Sequence, residues 1–288
     1  MIGKTRQLAA EGRPQLQGQF SQGCGVLQHS PPPGSYRHTR YAPNPALAKW
    51  IQHFWIETWN WNGAAPQRRE VLPHPCVHLA FAPGRSRILG VQLGRFVREL
   101  RGQGRVVGVK FRPGAFYPFL RRPVSTIANN SLLLQELFTG AADAESGVFA
   151  SSDDSEMIDV ASHFIGARLP NWDPAVDLAC QIVEAIAADK EITRVEHILA
   201  RWDIKERTLQ RLFARYVGAS ARWVIKRYRV YESLEWLGSD PYPDWARLAL
   251  ELGYFDQAHF INDFRKLVGC TPLDYHRACR STTAHRCQ

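Results

Sequence analysis

The chain has 288 residues, 45% of them hydrophobic, and a formal net charge of +9. That length has room for two domains with real apolar cores, and no run of about eighteen apolar residues offers a helical membrane span. Six cysteines without close pairing (Cys24, Cys76, Cys180, Cys270, Cys279, Cys287) are the usage of a reducing cytoplasm, not of a disulfide framework.

Residues 1–40 are rich in Gln, Gly, Pro and Ser, with SPPPGS at 30–35. The basic start lacks an apolar segment, so it is not a secretory signal. The stretch shows no periodicity and reads as a disordered arm. Residues 41–150 have another texture. WIQHFWIETWNW is dense in aromatic and β-branched residues, and EVLPHPCVHLAFA, RILGVQL and RVVGVKF follow, each ended by Gly or Pro. Short strands at regular intervals predict a mainly antiparallel β-domain. The aromatic set Trp50, Phe54, Trp55, Trp59 and Trp61 reads mostly as core, although such rings also line ligand pockets. AFYPFL, SLLLQELF and SEMIDVASHFIGARL read as helical. Acidity between Asp143 and Glu156 marks a loop or boundary, and 151–172 reads as a connecting segment.

Two constellations in the β-region carry chemistry. His74, Cys76 and His78 alternate, so a strand would set all three on one face. Three such ligands could begin a zinc or copper site, with His53 as a fourth. They equally suit a half-buried strand, and Pro73 and Pro75 disturb regular pairing there. KFRPG at 110–114 offers Lys110 and Arg112 to an anion, or forms a surface turn.

Residues 173–280 contain one pattern written twice, TLQRLFARYVGASARWV from Thr208 and HFINDFRKLVGCTPLDY from His259, at an offset of about fifty-one residues. Leu209 answers Phe260, Phe213 answers Phe264, and Val217-Gly218 answers Val268-Gly269. Apolar residues at i, i+4 and i+7 put them on one helix face. Each helix stops at a glycine, and Ser220 and Thr271 stand where a following helix needs a cap. A short helix and a tight turn precede each copy, at 195–204 and 245–254, which makes two helix-turn-helix units. Residues 223–237 form the helix between them.

At 100° per residue, Arg207, Gln210 and Arg211 face away from Leu209 and Phe213. In the second unit Ala258, Asn262 and Arg265 lie opposite Phe260 and Phe264, with Gln257 near the helix start. Arg, Gln and Asn are the side chains that bond base edges in the major groove. The part from Trp172 onward is nearly balanced in charge, so the global excess says little about DNA. The local run Arg201, Lys205, Arg207, Arg211, Arg215, Arg222, Lys226, Arg227 and Arg229, with only Asp203 and Glu206 against it, reads as a phosphate-contacting stripe. No phosphate loop, H-E-x-x-H or G-x-S-x-G is present, so no catalytic motif or cofactor is called for.

Residues 173–277 resemble the DNA-binding domain of AraC/XylS-type transcription regulators, most specifically in LALELGYFDQAHFINDFRKLVGCTPLDYHR. The first unit departs from that pattern, with Asp203 for a glycine and Lys205 for a serine cap. In the second, Phe255 stands for a serine, and Asp256 is left to cap the helix. LPHPCVHLAF, VVGVKFRPGAFYPFL and LLLQELF resemble the uncharacterised N-terminal domain of one subgroup. The resemblance implies a multidomain α+β protein, with a mainly β sensing or assembly domain before an all-helical double helix-turn-helix domain, and a short tail at 281–288. It maps base contact onto Arg207, Gln210, Arg211, Gln257, Ala258 and Asn262. Lys205, Arg215, Arg222, Lys226, Arg227, Arg265 and Lys266 are the expected phosphate contacts. Implied partners are double-stranded DNA, an effector in the N-terminal domain, and a second copy of the chain. The alternative is a metal-binding β-domain, an enzyme or metal sensor, fused to a DNA-binding tail.

Overall fold

The computed structural model describes residues 35–61, 65–239 and 243–284. The strands are β1 (Ser35–Tyr41), β2 (Ile51–Asn60), β3 (Gln67–Val71), β4 (His78–Phe81), β5 (Arg87–Leu89), β6 (Phe96–Leu100), β7 (Gln103–Phe111) and β8 (Ser131–Leu133). Six form an antiparallel sheet in the order β1-β2-β7-β4-β5-β8, and β3 pairs with β6 alone. Phe54 and Ile56 of β2, Val107 and Val109 of β7, and Leu79 and Phe81 of β4 are all fully buried.

β1 corrects the reading of 1–40 as a disordered arm; the remainder of that stretch, 1–34, lies outside the described residues. Alternation in SYRHTRY lets it pair with β2 from Ser35↔Asn60 to Tyr41↔Phe54. The Tyr36 hydroxyl donates to Glu57 at 2.5 Å, and Arg37 pairs with Asp154 at 2.5 Å. The first tie lies across the strand pair and the second comes from a distant helix, so neither shows in local composition.

The helices are α1 (Tyr117–Leu120), α2 (Leu134–Leu137), α3 (Ala141–Ala150), α4 (Asp154–Gly166), α5 (Ala175–Ala188), α6 (Val195–Trp202), α7 (Glu206–Leu212), α8 (Ala221–Ser239), α9 (Trp245–Glu251), α10 (Gln257–Val268) and α11 (Pro272–Ala284). α3 corrects the expectation of a loop around Asp143. Ala144 and Val148 are buried, and Glu145 accepts hydrogen bonds from the backbone of Gly84 and Ser86 and from the Ser86 hydroxyl. The acidity therefore belongs to a helix that ties down a strand connection.

The apolar core does not break between the sheet and the first helix-turn-helix unit. One cluster joins Phe54, Phe81 and Phe111 to Val183 of α5, to Leu209 and Phe213, and to Val224 of α8. A second, smaller cluster joins Val230, Tyr231 and Leu234 of α8 to Leu248, Phe260, Phe264 and Tyr275, with Leu72 as the one contribution from the N-terminal part among the described residues. α8 thus runs through both clusters.

Candidate nucleic-acid interface

α6 and α7 form the first helix-turn-helix pair. Asp203 makes the turn in the left-handed region, with φ 48° and ψ 49°, which Asp tolerates better than most residues. Lys205 precedes α7 without a side-chain cap bond. After Leu212 the helix widens into a π-turn over Phe213–Val217, where the Gly218 N–H donates to Phe213 O at 2.8 Å. α9 and α10 form the second pair. Asp244 caps α9, and Asp256 caps α10 by accepting from His259 N at 2.7 Å. Ser220 caps α8 and Thr271 caps α11, each accepting a backbone N–H at 3.2 Å.

The two C-terminal glycines touch different things. Gly218, at φ +86°, sits so close to Val124 that a Cβ would lie 2.7 Å from Val124 Cγ1 and 3.2 Å from its backbone. Gly269, at φ +94°, has the Arg95 guanidinium as its nearest neighbour, which also bonds Glu70 at 3.0 Å.

Arg207, Gln210 and Arg211 are exposed on α7, and Gln257, Ala258 and Asn262 are exposed on α10. Gln210 donates to Glu206 within the same helix at 2.9 Å. Among the described residues Arg207 and Arg211 form no ion pair. Lys205, Arg222, Arg265 and Lys266 are also exposed. Arg215 is exposed but spreads over the Tyr117 ring, 4.6 Å from its centroid, and donates to its hydroxyl.

The basic stripe is not continuous, which corrects its reading from the sequence. Arg227 is completely buried; it donates to Leu93 O at 2.8 Å and lies over the Trp223 ring, so phosphate has no access to it. Burial pushes its pKa down to about 10. Lys226 is paired with Asp263 of α10 at 2.5 Å. Arg201 pairs with Asp189 at 2.8 Å, and buried Arg229 bonds Ile186 O and Glu232. The acceptors come from outside the span in which the sequence shows so few acids.

The His74, Cys76, His78 triad does not converge. Among the described residues no group of three His, Cys, Asp or Glu is placed to hold a metal. His74 stacks on Tyr231 of α8 at 4.5 Å, and His78 accepts from Trp55 Nε1 at 3.3 Å. Lys110 is buried on β7, in register with His53 on one side and His78 on the other, so it is not part of a surface turn. Burial and then the Lys110 charge lower His53 to about 2 and His78 to about 3. Arg112 bonds Glu184 of α5. Trp50, Phe54, Trp59 and Trp61 are core residues, as their density predicts. Cys76, Cys180, Cys270 and Cys279 are not in disulfides, while Cys24 and Cys287 lie outside the described residues.

Two features were not visible in the sequence. A cleft of about 750 Å³ opens between the sheet, α5 and α8, with Ile51, His74, Val183, Tyr228 and Tyr231 in its wall. The segment Leu93–Arg95 straps the β-domain to the C-terminal half: Leu93 O accepts from Trp223 Nε1 at 3.1 Å and from Arg227.

Residues 198–278 match a helix-turn-helix domain family, and residues 39–132 match a domain of unknown function (DUF6597). No curated protein matches the chain. Solved structures similar to it include ToxT from Vibrio cholerae, at 12% identity and TM-score 0.39, covering 85% of this chain and 98% of that one. ToxT from Vibrio cholerae O395 gives 13% and 0.38 over 85% and 97%, and an unsaturated-fatty-acid-bound ToxT from strain SCE256 gives 13% and 0.36 over 84% and 91%. Likeness at this level assigns no residue and no ligand. The helix-turn-helix match, on a chain with two such helix pairs, defines a DNA-binding transcription regulator. A helix-turn-helix region behind this N-terminal domain is the arrangement that the resemblance to AraC/XylS-type regulators leads one to expect.

Proposed function

We propose that the two helix-turn-helix units read two successive major-groove segments of one duplex, and that the N-terminal domain controls how they do so. The observation that carries this is the pair of exposed polar faces on α7 and α10, joined by one continuous helix. α8 has 19 residues, roughly 28 Å at 1.5 Å per residue, of the order of the 34 Å between successive major grooves. Arg207, Gln210 and Arg211 take base edges in the first segment, and Gln257, Ala258 and Asn262 take them in the second. Lys205, Arg215, Arg222, Arg265 and Lys266 face phosphate. On this reading the chain acts by binding, in the cytoplasm, and not by catalysis.

Control is assigned to the cleft between the sheet and α8, which has the volume of ordinary small-molecule sites. A ligand there touches Tyr228 and Tyr231, on the helix that sets the spacing of the two units. Dimerisation through the N-terminal domain is the other route of control that the domain pair suggests. The metal-sensor alternative lacks a converging ligand set among the described residues.

The test is selection of the full-length protein on random duplex DNA, followed by footprinting. Two protected segments about one helical turn apart are expected. Arg211→Ala should weaken specific binding by about 1–3 kcal/mol and relax preference at one position of the first segment. A single protected segment, or unchanged selectivity in the variant, contradicts the reading.

A further inference from the structure

Phe255 is 88% exposed, against 65% for Leu250 and 43% for Leu273, the next most exposed large apolar side chains among the described residues. Its place in the chain makes this unusual. Asp256 is the N-cap of α10, so Phe255 precedes the cap and Phe260 is the fourth helical residue. An apolar residue in that position ordinarily folds back on the fourth one as a hydrophobic staple. Here Tyr254 has taken the role. It is 7% exposed, and its ring centroid lies 5.4 Å from that of Phe260, which is fully buried. Phe255 is left outside, 88% exposed and not among the described residues that pack into the second unit's apolar cluster.

Its position says what the ring can meet. Residues at the N-terminal end of a recognition helix point at base edges, and Phe255 lies two residues before Gln257 and three before Ala258. The flanking Asp256 carboxylate is engaged by the His259 N–H at 2.7 Å. Neither residue is basic, so neither side chain offers a positive charge to phosphate. The apolar group on a base edge in the major groove is the thymine 5-methyl, which takes side chains such as Ala and Phe. One aromatic ring, roughly 150–250 Å² of surface, matches one base step. A protein interface needs about 800 Å² per partner, and Leu250 and Phe255 together fall well short of it.

We propose that Phe255 is a specificity-determining residue of the second unit, packing on a thymine 5-methyl at the edge of the segment read by Gln257. This rests on the reading of the second unit as a DNA reader. The sequence carried the signal, because a serine is usual where Phe255 stands.

The experiment is a double-substitution cycle with the full-length protein on its selected operator. Each thymine of the second protected segment is replaced in turn by deoxyuridine, which lacks only the methyl. Loss of one buried methyl should weaken wild-type binding about fourfold at a single position. Phe255→Ala should weaken binding to the thymine operator by at least about that factor. It should show no further loss at the same deoxyuridine, and Phe255→Leu should keep part of the methyl effect. Additive losses, an unaffected Phe255→Ala, or a second segment without thymine overturn the proposal; the unaffected variant would leave a protein partner for the ring. Gln257→Ala separates the two levels: if it too is silent and the second segment is unprotected, the second unit does not read DNA and the underlying reading fails.

Discussion

In the first helix-turn-helix unit, Phe213, Tyr216 and Val217 pack into the same apolar cluster as Phe54 and Phe81 of the sheet. In the second, Phe260, Phe264 and Val268 pack with α8, α9 and α11, and among the described residues the N-terminal part adds only Leu72. The inward residues of the two copies are nearly interchangeable, so the duplicated pattern does not contain this difference. It comes from what lies over each copy: backbone of the Val124 turn against Gly218, and the end of a flexible arginine against Gly269. A repeated sequence thus yields one unit built into the core of the β-domain and one carried on α8. The first would move with the sheet, and the second would shift whenever α8 does.

The largest effects should come from matched core truncations. Phe213→Ala and Phe264→Ala each remove a fully buried ring and should each cost about 3–5 kcal/mol locally. Their reach should differ. Phe213→Ala should lower the unfolding midpoint of the β-domain together with that of the first unit, because they share a core. Phe264→Ala should loosen α9–α11 and leave the β-domain transition where it was. Urea unfolding followed by near-ultraviolet signals and by limited proteolysis distinguishes the two. Equal effects of both variants on the β-domain would erase the contrast.

The glycine pair sharpens it further. Alanine at a left-handed position costs about 1–2 kcal/mol in either copy. At Gly269 the Arg95 side chain can swing aside, so Gly269→Ala should stay near that value. At Gly218 the neighbour is Val124 backbone as well as its side chain, so Gly218→Ala should cost clearly more and disturb the first unit's seating. Thermal unfolding of the two variants measures it; the reverse ranking would mean that the Val124 contact yields easily.

The sequence makes the duplication legible because its period, its glycines and its caps are local. Asp203 and Asp256 can be assigned to turn and cap for the same reason. β2, β4 and β7 are legible from their apolar and aromatic density. β3 and β6 are not, since QRREV and FVREL are rich in charged residues and are held by ties to other segments, Glu70 of β3 to Arg95 just before β6 and Arg98 of β6 to Glu57 of β2. The basic stripe misleads for a related reason. Whether an arginine is free for phosphate depends on acceptors such as Leu93 O, Asp189 and Asp263, which other elements bring. Phe255 was visible as a departure from the family pattern, but its exposure needed the structure, because only there is Tyr254 seen to occupy the staple.

The most direct test of the contrast between the units is native-state hydrogen exchange on the intact chain, which reports the free energy at which each segment opens. The account predicts that amides of α7 and the Phe213–Val217 turn open in the same cooperative step as β2 and β7. Amides of α9 and α10 should open in a separate step of lower free energy, made smaller still by Phe264→Ala. If instead α7 and α10 open together, apart from the sheet, the two units form one domain of their own and the first is not built into the β-domain.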